Sequence, residues 1–201
     1  MPAEYPLLGI VRHRMELDGA GVTTLVAGAG CPLRCRYCIN RDVLQKAPKP
    51  VTPAQLYARV KIDDLYFRAT GGGITFGGGE ALLHMDFYEA FRPLCPDWKF
   101  CAETCLHVPK EAVVRAAKLF DSFIVDIKTT DPEIYKRYTG SDLSPALENL
   151  VWLFQHFDPE KVTVRVPLIP DFNTVEQQQE SVNTVKALGA VRIDAFQYLV
   201  R

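Results

Sequence analysis

Short apolar runs rich in β-branched residues alternate along this chain with longer segments whose apolar positions recur every three or four residues. The first pattern marks buried strands and the second marks amphipathic helices. Residues 22–27 (Val-Thr-Thr-Leu-Val-Ala) read as the first buried strand, after a lead-in strand or loop over 9–18 and a flexible Gly19-Ala20-Gly21 turn. Residues 47–53 carry three prolines and read as a connector. Thr52 before Pro53 is an N-cap and first-turn pair that opens a helix to about residue 62. Glycines bracket the second strand, within 71–80; a helix follows over 84–91 and a third strand over 98–104. Residues 109–120 form an amphipathic helix with proline in its first turn, and 123–127 the fourth strand. Asp131-Pro132 and Ser144-Pro145 each open a helix, the second running to residue 157. A fifth strand over 162–168, a helix over 174–188 closed by Gly189, and a sixth strand over 191–198 complete the pattern.

Strands that alternate with helices predict a parallel sheet with right-handed crossovers. Six units are too few to close an eight-stranded barrel, so the predicted fold is α/β: a partial TIM barrel, an open (β/α)6 arc of parallel strands with outer helices. Ligands in such folds sit at the C-terminal ends of the strands. The chain has 201 residues, 48% of them apolar, which suits a single domain over 1–201 with a core that needs no disulfide staples. A net charge of −1 provides no field for nucleic acid or an acidic membrane surface. No run approaches the about 18 apolar residues of a membrane span, and the N-terminus lacks the pattern of a signal peptide. Six cysteines in such a chain point to metal or redox chemistry, and the expected location is cytoplasmic.

The candidate chemistry gathers at the predicted strand ends. Cys31, Cys35 and Cys38 follow the first strand at C-x3-C-x2-C spacing. Three thiolates from one loop can hold three irons of a four-iron cluster, leaving the fourth iron open, where an electron-transfer ferredoxin supplies four cysteines. A zinc site and ordinary buried thiols are the competing readings. Gly77, Gly78, Gly79 and Glu80 end the second strand; such glycines let backbone approach a ligand, though they also suit a plain turn. Their register fits neither a dinucleotide fingerprint nor a P-loop. Glu103 and Thr104 end the third strand. Asp126 and Lys128 share a face at the end of the fourth, either as a mutual ion pair or as ligand contacts. Arg165 on the fifth strand could pair with either acid.

The cysteine motif with Tyr37 before its last thiol, followed by a Gly-Gly-Glu segment, resembles the radical SAM superfamily. The resemblance to glycyl radical enzyme activating enzymes of the pyruvate formate-lyase type extends through 18–24, 30–38, 71–80, Glu103-Thr104, 126–128, 138–140 and 165–170. It implies that Cys31, Cys35 and Cys38 hold a [4Fe-4S] cluster whose open iron binds the amino and carboxylate groups of S-adenosylmethionine. Gly78, Gly79 and Glu80 would line the methionine amino group. Glu103, the Thr104 backbone and Asp126 would hold a monovalent cation beside the carboxylate. Lys128 would contact the methionyl or ribose part, Arg165 would frame the cofactor, and Tyr37 would lie near the adenine. One electron would cleave S-adenosylmethionine to a 5′-deoxyadenosyl radical, which would take hydrogen from a glycine of a partner glycyl radical enzyme. A flavodoxin or ferredoxin would be the reductant, and the expected form is a monomer. The chain departs from the family at Ile39, at Gly77 and in the Gln197-Tyr198-Leu199 register, where a histidine is missing; no ferredoxin-like insert follows Cys38. A radical enzyme acting on a peptide or small molecule, and a non-catalytic iron–sulfur carrier or zinc module, are the alternatives. Cys95, Cys101 and Cys105 read as buried thiols, with a second metal site as the competing possibility. The four histidines have no partners at catalytic spacing.

Overall fold

The computed structural model describes residues 3–15 and 18–198, so Leu199 and the residues after it lie outside the described part. Among the described residues eight strands form one sheet: β1 (Tyr5–Met15), β2 (Val22–Gly28), β3 (Lys49–Val51), β4 (Gly73–Gly78), β5 (Lys99–Thr104), β6 (Ser122–Asp126), β7 (Val162–Leu168) and β8 (Arg192–Gln197). Their order is β3-β1-β2-β4-β5-β6-β7-β8. From β2 to β8 every neighbouring pair is parallel, which is the predicted six-stranded arc. The helices are α1 (Arg41–Leu44), α2 (Pro53–Val60), α3 (Asp64–Thr70), α4 (Met85–Phe91), α5 (Lys110–Leu119), α6 (Pro132–Thr139), α7 (Ser144–His156) and α8 (Val175–Ala187).

The sheet is not wholly parallel. The lead-in segment is an 11-residue strand that pairs antiparallel with β2, and the proline-rich connector contributes β3, antiparallel to β1. Pro50 is tolerated there because β3 is the sheet edge, where a missing N–H breaks no ladder. The expected single helix over 53–62 stops at Val60, and α3 follows after a 3₁₀ turn. Helix ends follow their local chemistry. Capping boxes at Thr52–Gln55 and Thr174–Gln177 open α2 and α8, while the Asp131 carboxylate accepts the Ile134 N–H at the start of α6.

The core lies between the sheet and the outer helices. On β4, Ile74 and Phe76 are fully buried toward the helices, and Phe76 meets Tyr5, Tyr88, Phe91, Phe100 and Phe120. Alternation turns Thr75 and Gly77 to the other face, toward Asp18 and Glu103. Beyond β5 the chain makes a tight turn in which Leu106 takes a left-handed φ of 55°. Two hydrogen bonds hold that costly conformation: the Leu106 N–H donates to Thr104 Oγ1 at 2.9 Å, and Asn149 Nδ2 donates to Leu106 O at 2.9 Å. Asn149 also donates to Val108 O at 2.8 Å and is itself buried. Asn149→Ala therefore leaves two carbonyls short of a donor and should cost about 1–3 kcal/mol, read as a lower urea midpoint with an unchanged m value.

Candidate functional site

The cysteine loop leaves β2 and is fastened on both sides by backbone. On one side the Gly79 N–H donates to Gly28 O at 3.0 Å and the Glu80 N–H to Gly30 O at 2.7 Å. On the other, the Arg34 and Arg36 N–H groups donate to Thr139 O at 2.8 Å and Tyr138 O at 3.0 Å, at the C-terminal end of α6. The Asn40 side chain, just past the last cysteine, reaches Gly78 O at 2.8 Å. Gly79 has to be glycine: a Cβ there would collide with the Gly30 carbonyl oxygen. The glycine run is thus a seam against the loop rather than a free turn.

Cys31, Cys35 and Cys38 are free thiols, each half-buried. Burial pushes the Cys35 thiol up to about 11, with Cys31 and Cys38 adding to the rise and Lys128 opposing it. Cys31 is drawn down to about 7, chiefly by its hydrogen bond with Cys105. Among the described residues no three His, Cys, Asp or Glu side chains converge on a point that would hold one metal ion. Zinc needs such convergence on a single centre. A four-iron cluster takes its thiolates one per iron, so three spaced thiols on one loop suit it.

Glu80 is buried, and its carboxylate is fully engaged inside the protein. Oε1 accepts from Leu82 N at 2.9 Å and Thr104 Oγ1 at 2.6 Å, and Oε2 accepts from Cys105 N at 2.8 Å and lies 3.0 Å from Cys105 Sγ. The side chain locks β4 to β5 and has no oxygen to spare, so only the Glu80 backbone is available to a ligand. Thr104 is buried in the same knot.

Asp126 ends β6, and Lys128 follows two residues later. The Lys128 Nζ lies 3.4 Å from Asp126 Oδ1 and 3.4 Å from Tyr198 Oη, and the lysine is buried. Burial works against its charge, yet Asp126 and the acidic groups around it outweigh burial and hold the ammonium well above its ordinary range. The mutual ion pair is therefore present. Arg165 lies opposite Asp126 in the β6–β7 register and meets Glu103 Oε1 at 3.1 Å and Asp194 Oδ2 at 3.5 Å, with Asp18 at 4.0 Å. Glu103 is its nearest acid in these pairs, and Asp126 is an electrostatic neighbour as well. Burial, reinforced by Asp18, raises Glu103 to about 7 despite Arg165. A Cβ at Gly77 would sit 2.6 Å from Glu103 Oε2, so glycine at 77 makes room for that carboxylate. A monovalent cation at Glu103, Thr104 and Asp126 would have to share both carboxylates with resident cations.

Tyr37 stands at the rim, with its hydroxyl donating to Asp171 Oδ2 at 3.1 Å and its ring edge-on to Phe172. Cys95, Cys101 and Cys105 do not come together. Cys95 lies in the core, Cys101 packs beneath Gly19, and Cys105 reaches the site. Pattern reading passed over Asp18, Tyr135, Tyr138 and Asp194. Asp18 and Tyr138 fall within stretches that carry the resemblance, which implies a role for neither, and Tyr135 and Asp194 stand outside those stretches. Among the described residues the buried Tyr135 hydroxyl has no hydrogen-bond partner, the Tyr138 hydroxyl has only Tyr198 near it, and Cys35 and Lys128 are among the electrostatic neighbours of both. Buried hydroxyls beside Cys35 and, for Tyr135, Cys105 fit a site whose ligands are polar and sulfur-rich.

Residues 25–179 match the profile of the Radical SAM superfamily. The chain belongs to the radical SAM superfamily. Membership implies a [4Fe-4S] cluster and S-adenosylmethionine as cofactors. The (2S)-3-sulfopropanediol sulfolyase activating enzyme of Bilophila wadsworthia is 28% identical, over 80% of this chain and 74% of the relative. The pyruvate formate-lyase-activating enzyme of Clostridium pasteurianum is 34% identical, over 68% of this chain and 62% of the relative. This radical SAM enzyme is thus homologous to glycyl radical enzyme activating enzymes. Streptococcus suis SuiB bound to S-adenosylmethionine shares the fold, with a TM-score of 0.64 at 15% identity over 87% of this chain, which spans 38% of SuiB. Among the described residues no helix is long and apolar enough to cross a membrane.

Proposed function

We propose that this radical SAM enzyme activates a glycyl radical enzyme. When bound, the cluster and S-adenosylmethionine supply a one-electron cleavage of the sulfonium and, through it, removal of a hydrogen atom from a glycine of the partner protein. The observation that carries the reading is the cysteine loop fastened between the Gly78–Glu80 seam and Tyr138–Thr139, with Asp126 and Lys128 beside it. The similarity to activating enzymes supports the choice of a protein glycine as substrate.

Cys31, Cys35 and Cys38 would hold the cluster, and the loop's backbone anchors keep their spacing fixed before it binds. Gly78, Gly79 and the Glu80 backbone would face the methionine amino group, while the Glu80 carboxylate keeps β4 and β5 together. Lys128 holds its proton and would present an ammonium to the carboxylate or ribose of the cofactor. Arg165, braced by Glu103 and Asp194, would frame the opposite side, and Tyr37 would cover the adenine at the rim. A monovalent cation at Glu103, Thr104 and Asp126 would compete with Arg165 and Lys128 for the two carboxylates. A flavodoxin or ferredoxin would deliver the electron. Only α1 and β3 separate the cysteine loop from α2, which leaves no room there for a ferredoxin-like insert.

The test is anaerobic. Protein reconstituted with iron and sulfide, then given dithionite and S-adenosylmethionine, should release 5′-deoxyadenosine; with pyruvate formate-lyase as a probe partner, a glycyl radical signal should appear by electron paramagnetic resonance. Cleavage with no radical on any glycyl radical enzyme tried would move the substrate to a peptide or small molecule. A loaded cluster with no affinity for S-adenosylmethionine would leave an iron–sulfur carrier. Lys128→Ala should weaken S-adenosylmethionine binding about tenfold or more by calorimetry, as loss of a buried charged donor does, while iron content stays at the wild-type level.

A further inference from the structure

Behind the cysteine loop lie two buried donor groups, the Cys105 thiol and the Tyr135 hydroxyl. Cys105 follows β5 at the turn that Thr104 and Asn149 hold in place, and it is 8% exposed. Its N–H donates to Glu80 Oε2, which fixes the residue; its thiol also donates to Glu80 Oε2 at 3.0 Å and has the Cys31 thiol as its other neighbour. Tyr135 projects from α6, is fully buried, and its hydroxyl has no hydrogen-bond partner among the described residues. The groups in electrostatic range of that hydroxyl are Cys105, Cys35, Lys128 and Glu80. Both donors are therefore buried beside two of the three thiols assigned to the cluster, Cys105 by Cys31 and Tyr135 by Cys35.

Iron binding removes the Cys31 proton, so its sulfur becomes an acceptor only. Of the two sulfurs in contact, Cys105 then carries the remaining hydrogen. Glu80 Oε2 still keeps the Cys105 N–H, so turning the thiol to Cys31 strands no acceptor. Tyr135 has an O–H with no acceptor among the described residues, and buried donors do not stay unpaired without a reason. We propose that Cys105 and Tyr135 donate hydrogen bonds to sulfur atoms of the cluster held by Cys31, Cys35 and Cys38, and so raise its reduction potential; this rests on the cluster assignment made above. Reduction adds one negative charge to the iron–sulfur–thiolate unit, and donors aimed at its sulfurs stabilise the more negative form. The two residues act through the ligands, as positioning and tuning groups.

Wild type, Tyr135→Phe, Cys105→Ala and Cys105→Ser are to be reconstituted anaerobically, assayed for iron and sulfide per chain, and titrated electrochemically with the reduced cluster followed by electron paramagnetic resonance. The expected result is wild-type iron content throughout and a midpoint potential shifted to more negative values in Tyr135→Phe and Cys105→Ala. Cys105→Ser, which keeps a donor, should return toward wild type. Full iron content with wild-type potentials in both Tyr135→Phe and Cys105→Ala overturns the inference. Should Cys105→Ala fail to fold through loss of its contact with Glu80, Tyr135→Phe decides alone, because it removes only an oxygen. A wild-type chain that takes up no iron overturns the cluster assignment and the inference together, an outcome distinct from a loaded cluster with unmoved potentials.

Discussion

Cys35→Ala yields a folded chain that no longer takes up iron and sulfide to the wild-type level. Cys35 is the middle thiol of the loop, with Lys128, Cys31, Cys38 and Asp126 as its electrostatic neighbours. Changing a group that only supports a metal ligand commonly lowers affinity by about 10–100-fold, so removing a ligand should exceed that range. The fold should survive, because the loop is held by the backbone of Arg34 and Arg36 rather than by the Cys35 side chain. Colorimetric iron and sulfide after reconstitution, set beside the thermal melt of the metal-free protein, separate loss of the site from loss of the fold. Full iron content in the variant would remove Cys35 from the ligand set.

Phe76→Ala should be the most destabilising single change outside the site. Phe76 sits on a central strand, is fully buried, and touches five other aromatic rings, with Tyr88 nearest at 4.5 Å between centroids. Truncation removes the ring's transfer free energy and leaves a cavity that neighbours drawn from β1, α4 and β5 cannot jointly fill. The expected cost is about 3–5 kcal/mol, measured by urea unfolding of the metal-free chain. That is a large part of the stability of an ordinary domain, so the variant should be soluble only at low temperature. A loss under 1 kcal/mol would mean that the aromatic cluster repacks.

Local chemistry made most of the fold legible. Thr52-Pro53, Asp131-Pro132 and Thr174 mark helix starts through interactions three residues long, and β2 and β7 announce themselves by β-branched runs. What stayed hidden depends on distant partners. Over 9–18 the lead-in reads as strand or loop, and the choice of strand, with its start at Tyr5, comes from pairing with β2 and β3. The segment Lys49–Val51 carries Pro50, a residue that argues against a strand until the sheet edge is known. In α3 the apolar residues Leu65 and Tyr66 face outward while Phe67 is buried, so the stripe misleads. The same division holds at the site. The cysteine spacing and the glycine run lie within single short segments, whereas the pairing of Arg165 with Glu103 and the saturation of Glu80 bring together residues more than 20 positions apart. Side-chain hydrogen bonds of that kind leave no periodicity to read.

The fastening of residues 34 and 36 to residues 138 and 139 also bears on when the site comes into being during synthesis. When Cys38 leaves the ribosome, about a hundred residues of the chain that will hold it have yet to be made. The Gly79 and Glu80 contacts come next, and the α6 contacts only after β5 and β6 have been added in turn to a growing parallel sheet, a slow and non-local step. Until then the three thiols lie on a half-anchored loop. Iron delivered early would meet flexible cysteines open to wrong ligands and to oxygen, whereas iron delivered after α6 docks would meet a preset frame. For this chain, loading the metal belongs at the end of folding.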